Sequence, residues 1–408
     1  MQSQVSGRLP TKVLHVMNAA VGGAALSTLG LIDALQREHG VRSCVVCDDV
    51  GTQAEREALI EATGGETMFT PLYWWNRKIR VATWKRPALE LRQMLRTRAR
   101  FGAVGHVVRG ARQWGAEVIH TNTILTPEGG RAAQLLGIGH VWHLRELIGG
   151  GHPFQLPLEG EALGRYLMAH ASVVVANSRA SAVAVQPLLP PERLEVIPNG
   201  IDLEAFSAIV PQATETVRVG MIANLTSRTK KHGLFIEAAS KVKNARFQLF
   251  GHAPPAGSDA YADKVRAQAR EAGVELMGFV EAAAVLRNLD ILVHSADNES
   301  FGRTVVEAMA AGLPVVGVDG GGVAETIVHE QTGLLSPPDS ADALASNIAR
   351  LVGDPAMRKR FGLAGRARAL DQYSLAACAK QVALVYQRAL AAPVSSGWTI
   401  LSLLGALP

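Results

Sequence analysis

Short apolar runs recur along the chain and alternate with longer stretches whose apolar positions return every three or four residues. The runs include Lys12–Met17 (KVLHVM), Glu117–His120 (EVIH), His140–Leu144 (HVWHL), Ser172–Ala176 (SVVVA), Arg218–Ile222 (RVGMI), Asp290–His294 (DILVH) and Val315–Val318 (VVGV). Continuous apolar runs of this length suit strands buried on both faces of a parallel sheet. Between them, Leu26, Leu29, Ile32 and Leu35 recur at helical spacing in Ala24–Glu38. The regular alternation predicts an α/β fold with parallel sheets, and 408 residues predict two or three domains, each with its own core.

The most informative stretch is Asp297–Gly322, DNESFGRTVVEAMAAGLPVVGVDGGG. After the DILVH run the chain enters an acidic turn, becomes helical from about Arg303, and stops at Gly312 and Pro314. A second apolar run and three glycines follow. A helix N-terminus at the carboxyl end of a parallel sheet offers N–H groups and about half a positive charge, a seat for phosphate. Ser300, Phe301, Gly302, Arg303 and Thr304 form that seat as donor-binding residues. Glu299 lies in the turn and Glu307 more than one turn inside the helix, so the two carboxylates cannot share one point. Carboxylates are repelled by a diphosphate and suit neutral vicinal hydroxyls. Glu307 is therefore expected on a nucleotide ribose, Glu299 on a sugar, and the diphosphate between them.

The same residues carry a resemblance. E-S-F-G-R-T-V-V-E followed by A-M-A-A-G-L-P-V-V resembles the E-x7-E signature of the retaining glycosyltransferases of family 4. In that family the first Glu contacts the donor sugar and the second the ribose. The resemblance implies two Rossmann-like domains facing across a cleft (the GT-B arrangement), with a C-terminal helix crossing back to the first domain. It covers nearly the whole chain, sharply over the second half and loosely over the first. EVIPNGIDLEAF (Glu195–Phe206) matches the stretch that leaves the first domain. The expected division is 1–200 for the acceptor, 201–216 as hinge, 217–370 for the nucleotide-sugar, and 371–408 as returning helix and tail.

Further site residues follow from the resemblance. K-K-H-G-L-F-I-E-A is similar to the family's K-G-H-x-L-x-I-x-A, which makes Lys230 a ligand of the donor diphosphate. The family's arginine is displaced: Asn224 or Thr226 stands in its place, and Arg228 lies nearer the lysine. Fixed cations there stabilise a departing diphosphate more than the bound one. A solvated loop is the plainer reading of a Lys-Lys pair, yet two cations before a helix start oppose its dipole. MGFV, ending at Val280, matches the segment whose backbone reads the base edge. Gly22 and Gly23 match the loop facing the donor diphosphate and acceptor, although a tight strand-to-helix turn explains them equally. His143, at the end of HVWHL, matches a histidine that faces the reaction centre. His152, in GGGHPFQLP, is a further candidate. VGGAALSTLG lacks the G-x-G-x-x-G of a dinucleotide site; Asp48 or Asp49 keeps a nicotinamide enzyme as a weaker alternative.

Composition adds bounds. Charged residues make up 19% and apolar residues 48%, as in a folded globular protein. The polar N-terminus and the lack of a run near the length of a membrane span lead us to expect a cytoplasmic protein. Net charge is +5, but residues 72–112 hold eleven lysines and arginines, among them Arg109 and Arg112, against Glu90 alone. Tyr73, Trp74, Trp75 and Trp84 lie at the start of this segment. Basic residues with aromatics suit an anionic lipid surface at the inner face of the membrane, or an anionic acceptor; a solvated helix face also accounts for the charge. No nucleic-acid partner is expected. Cys44 and Cys47 sit in a strand-like run where residues three apart face opposite sides, so neither a disulfide nor a metal is expected. With no D-x-D pattern to hold a divalent ion, no cofactor is expected beyond the nucleotide-sugar co-substrate.

Taken together these features predict a retaining transfer of a hexose-type sugar from a UDP- or GDP-sugar to a hydroxyl of a glycan or lipid-linked acceptor in surface polysaccharide or glycoconjugate synthesis. Glu299, Lys230, Arg228 and His143 are the catalytic candidates. A sugar-nucleotide epimerase of the same architecture and a nucleotide-binding module without turnover are the alternatives.

Overall fold

The computed structural model describes residues 7–73, 75, 102–149, 155–209 and 215–395. The chain divides into two units, Met1–Gly200 with Cys378–Pro408, and Ile201–Ala377.

The first unit holds a sheet of β1 (Lys12–Met17), β2 (Arg42–Cys47), β3 (Thr67–Phe69), β4 (Val118–Thr121), β5 (Gly139–Leu144), β6 (Val173–Ala176) and β7 (Leu194–Val196). Their order is β3-β2-β1-β4-β5-β6-β7, with every pair parallel. The second unit holds β8 (Val217–Ile222), β9 (Ala245–Phe250), β10 (Glu275–Gly278), β11 (Ile291–His294), β12 (Val315–Val318) and β13 (Gly333–Ser336). Here the order is β10-β9-β8-β11-β12-β13, again all parallel. Each sheet reverses its strand order beside its first strand, β1 or β8. Doubly wound sheets bind ligands at that switch point, outside the carboxyl ends of the strands. Both units are thus Rossmann-like.

Helices cover both faces, so the strands are apolar on both sides; Cys44 and Cys47 are buried and unbridged. The helix Gly23–His39 buries Ala25, Thr28, Leu31, Ile32 and Leu35. Leu26, expected on the inner stripe, faces out instead. The buried stripe is set by Leu31, Ile32 and Leu35 together with the small residues Ala25, Ser27, Thr28 and Ala34. The helix Leu375–Ala391 joins the first unit from Cys378 onward. Its Tyr386 is fully buried, and a Cβ at Gly139 would stand 2.5 Å from the carbonyl oxygen of Ala389. That close approach is why β5 opens on a glycine.

Most of the basic segment, including Trp74 and Trp84, lies outside the described residues, as does His152. Trp75 is described and corrects the expectation that its ring is presented to lipid. It is buried, its indole N–H donates to the Ile124 carbonyl oxygen at 2.6 Å, and its ring stacks on Trp142 at 5.9 Å. Among the described residues no helix is long and apolar enough to cross a membrane.

Candidate functional site

In the second unit the site grows from the carboxyl ends of β8 and β11. The loop after β8 runs through a 3-10 turn, Arg228–Lys230, into the helix His232–Ser240, with Lys231 left-handed at φ 52° between them. The hydroxyl of Ser295, just past β11, donates to the Lys230 carbonyl oxygen at 2.8 Å and so ties this loop to the acidic turn.

The acidic turn then enters the helix Arg303–Ala310, which has no side-chain cap and opens on Gly302 at φ 88°. At its other end Ala311 is the cap; Gly312, expected there, follows it at φ 77°. The Gly312 N–H donates to Met309 and that of Leu313 to Ala308, which closes the helix. Glu307 is buried and takes the Arg303 guanidinium at 2.6 Å. Burial pushes its carboxyl above the usual range against the pull of Arg303. Phe301 turns its ring into the core against Tyr373, so only its backbone is left for a ligand.

The three glycines have a function that spacing alone did not show. A Cβ on Gly320 would lie 2.5 Å from the Asp297 carbonyl oxygen, one on Gly321 2.2 Å from that of Glu299, and one on Gly322 2.3 Å from that of Ser300. The Gly322 N–H also donates to the Glu299 carbonyl oxygen at 2.8 Å. The loop is a bare strip of backbone against which the acidic turn is pressed.

Each lysine of the pair has a carboxylate. Lys230 donates to Glu299, and Lys231 to Asp297 at 2.6 Å and Asp339 at 2.7 Å. The unfavourable placement of two cations before a helix start is thereby offset within the chain. Burial raises the Glu299 carboxyl, but Lys230 brings it below its ordinary value. His294 is a residue that sequence reasoning passed over as the last position of a buried strand. Its Nε2 lies 3.7 Å from Glu299, and among the described residues neither ring nitrogen has a side-chain hydrogen-bond partner. Burial, with Lys230 nearby, pushes it down to about 4, so it is neutral. Arg228 is exposed, its guanidinium 5.5 Å from the centre of the Tyr261 ring. Asn224 accepts the His252 N–H at 2.9 Å and braces the loop ends of β8 and β9. Val280, beyond β10, is exposed, as are Met277 and Phe279.

In the first unit, polar side chains gather at the carboxyl ends of β1, β4 and β5. His15, His120 and His143 occupy these three strands and are fully buried. The Arg145 guanidinium lies 3.5 Å from His143 Nδ1 and 3.2 Å from Asn122 Oδ1, and also donates to Asn199 at 2.5 Å. Arginine has no acceptor, so His143 Nδ1 must accept and its proton sits on Nε2. His120 Nε2 therefore donates to His143 Nδ1 at 3.2 Å, and Tyr386 donates to His120 Nδ1 at 2.7 Å. The chain Tyr386→His120→His143 ends on an N–H with no partner among the described residues. Burial and Arg145 hold His143 well below its ordinary value, so it is a neutral donor. Gly22, at φ 100°, caps the helix Gly23–His39, and a Cβ there meets nothing; backbone conformation alone demands glycine. Asp48 accepts the Leu72 N–H at 2.9 Å and Asp49 pairs with Arg56, so both acids have partners within the fold.

Comparison with known proteins agrees. The Glycosyltransferase Family 4 model matches residues 21–205, and the model described as Glycosyl transferases group 1 matches residues 216–354. The alpha-maltose-1-phosphate synthase of Mycobacterium tuberculosis is 29% identical over 67% of this chain and 79% of its own. A D-inositol 3-phosphate glycosyltransferase of Corynebacterium glutamicum is 31% identical over 49% of this chain and 53% of its own. Among solved structures, Anabaena HepE in complex with UDP has a TM-score of 0.72 at 22% identity, covering 92% of this chain and 99% of that one. Sucrose-phosphate synthase from Thermosynechococcus elongatus gives 0.70 at 18%, covering 93% and 100%. These two likenesses concern the fold, which is the GT-B type. With its two doubly wound units each matched by a glycosyltransferase model, the chain is an enzyme that belongs to the glycosyltransferases of family 4.

Proposed function

We propose that this glycosyltransferase moves a hexose-type sugar, with retention of configuration, from a UDP- or GDP-sugar to a hydroxyl of a glycan or lipid-linked acceptor. Surface polysaccharide or glycoconjugate synthesis is the setting we infer. The observation that carries the reading is the Lys230–Glu299 pair beside an uncapped helix start whose next acid, Glu307, is buried. A nucleotide-sugar donor is further supported by HepE, a neighbour of the same fold solved with UDP and with UDP-glucose.

The roles follow from charge. The departing nucleoside diphosphate gains negative charge, which Lys230, Arg228 and the first-turn N–H groups stabilise. Glu299 accepts hydrogen bonds from sugar hydroxyls and orients the ring; Glu307 holds the ribose. Val280 and its neighbours face the base. On the first unit, His143 presents its Nε2–H to a hydroxyl of sugar or acceptor. It cannot act as the base, because Nδ1 is occupied and Nε2 already carries its proton. In this scheme the leaving phosphate takes the acceptor proton on the same face, which retains configuration.

The test is nucleoside diphosphate release from the preferred donor. Lys230→Ala should lower it by about 10²–10³, the loss of one charge-assisted contact to the transition state. A variant keeping more than half of wild-type turnover contradicts the assignment. We read no divalent ion into the mechanism; chelation with EDTA should leave wild-type turnover unchanged, and a loss reversed by Mg²⁺ or Mn²⁺ rejects that part. For the basic segment 72–112 we propose contact with anionic lipid. Trp74 and Trp84 carry that reading now, since Trp75 is in the core, and equal flotation of wild type and a Trp74/Trp84→Ala variant with anionic vesicles would reject it.

A further inference from the structure

The proposed donor chemistry leaves one account open. Lys230 is wanted on the diphosphate, yet in the structure it is engaged with Glu299. A diphosphate that takes up the lysine charge leaves a largely buried carboxylate short of a partner. Burial alone would then push Glu299 toward protonation, and a neutral carboxyl is the poorer acceptor for sugar hydroxyls.

His294 stands where the replacement is needed. It closes β11 five residues before Glu299, with its Nε2 3.7 Å from Glu299 Oε2, beyond hydrogen-bond length but within a small side-chain adjustment. Among the described residues neither buried ring nitrogen makes a side-chain hydrogen bond, and the backbone of Ala296 and of His294 itself also faces the ring, so Nε2–H can reach the carboxylate without breaking a side-chain contact. The charged groups facing the ring are Lys230 and Glu299. A buried imidazole with two unsatisfied nitrogens costs stability and calls for an explanation; a standby donor is one.

We propose that His294 is a positioning residue for Glu299: its neutral Nε2–H takes over the carboxylate when Lys230 turns to the donor diphosphate. Lys230 thus exchanges partners, and Glu299 stays ionised and aimed at the sugar throughout. The inference rests on the roles proposed above for Lys230 and Glu299.

The test is a binding cycle. UDP, GDP and ADP are screened by thermal shift, and the affinity of the strongest is measured for wild type, His294→Leu, His294→Gln, His294→Asn, Lys230→Ala and the Lys230→Ala/His294→Leu pair. His294→Leu should weaken nucleotide about 10- to 100-fold, the loss of a hydrogen bond to a charged group. His294→Gln, whose amide nitrogen stands near the place of Nε2, should recover to within a few-fold. His294→Asn, which mimics Nδ1, should not. In the Lys230→Ala background, His294→Leu should have little further effect, because Glu299 then lacks its lysine in both free and bound states. A packing role would instead give the same loss in both backgrounds. His294→Leu binding nucleotide like wild type, or Gln and Asn behaving alike, overturns the inference while leaving the Lys230 assignment intact. Lys230→Ala binding like wild type, or a wild type that binds none of the three nucleotides, overturns the underlying reading and the inference with it.

Discussion

Acid should unfold the first unit by protonating its buried histidines, ahead of most of its carboxylates. Burial holds His15 and His140 at about 3 and His170 at about 4, and keeps His120 and His143 well below their ordinary 6.5. The folded unit thus carries five neutral imidazoles. The unfolded chain protonates all five as pH falls through 6.5, so it binds more protons and stability falls with pH. This stabilisation is complete above 6.5 and is lost on the way down to the folded values. Each proton difference contributes roughly 1.4 kcal/mol per pH unit, so five together remove on the order of 5–7 kcal/mol per unit between about pH 6 and 4. Asp48 and Glu146, pushed up by burial, act in the opposite sense, two groups against five. Because a domain has only about 5–15 kcal/mol to lose, the transition should fall between about pH 6 and 4. The tryptophans at 74, 75, 84, 114, 142 and 398 all belong to the first unit. Intrinsic tryptophan fluorescence therefore follows it without signal from the second. An emission maximum and near-ultraviolet dichroism unchanged from pH 7.5 to 4 would refute the reasoning.

Two substitutions test the packing. Gly322→Ala puts a Cβ 2.3 Å from the Ser300 carbonyl oxygen, so the acidic turn must retreat; Gly353→Ala meets nothing and serves as the control. We expect the first to cost about 1–3 kcal/mol and, by shifting Glu299, to lower donor turnover roughly 10²-fold; equal melting temperatures and rates for the two would count against the strip of glycines as a template. Trp75→Ala should destabilise the first unit by about 3–5 kcal/mol, seen as an earlier urea midpoint. A midpoint equal to that of wild type would return Trp75 to the surface.

Local pattern settled the strands that are long and fully buried. Lys12–Met17 and Val315–Val318 stand where their apolar runs end, because a parallel strand covered on both faces admits little else. β3 and β7, three residues each at the sheet edges, have no run long enough to register. Glu299, Glu307 and Lys230 were legible because their chemistry is written in one short stretch apiece. What joins them was not. The Lys230–Glu299 contact spans 69 positions and the Tyr386–His120 bond 266, and no local periodicity encodes which acid a lysine will meet. His294 looked like one more buried strand position; only the fold brings its unsatisfied ring beside a carboxylate. Trp75 shows the converse error. An aromatic flanked by arginines suggested a surface, and Trp142 with the Ile124 carbonyl drew it into the core. Sequence determines which segments must leave water and which groups can do chemistry; tertiary structure decides which of those groups meet, because burial is satisfied by neighbours in space rather than along the chain.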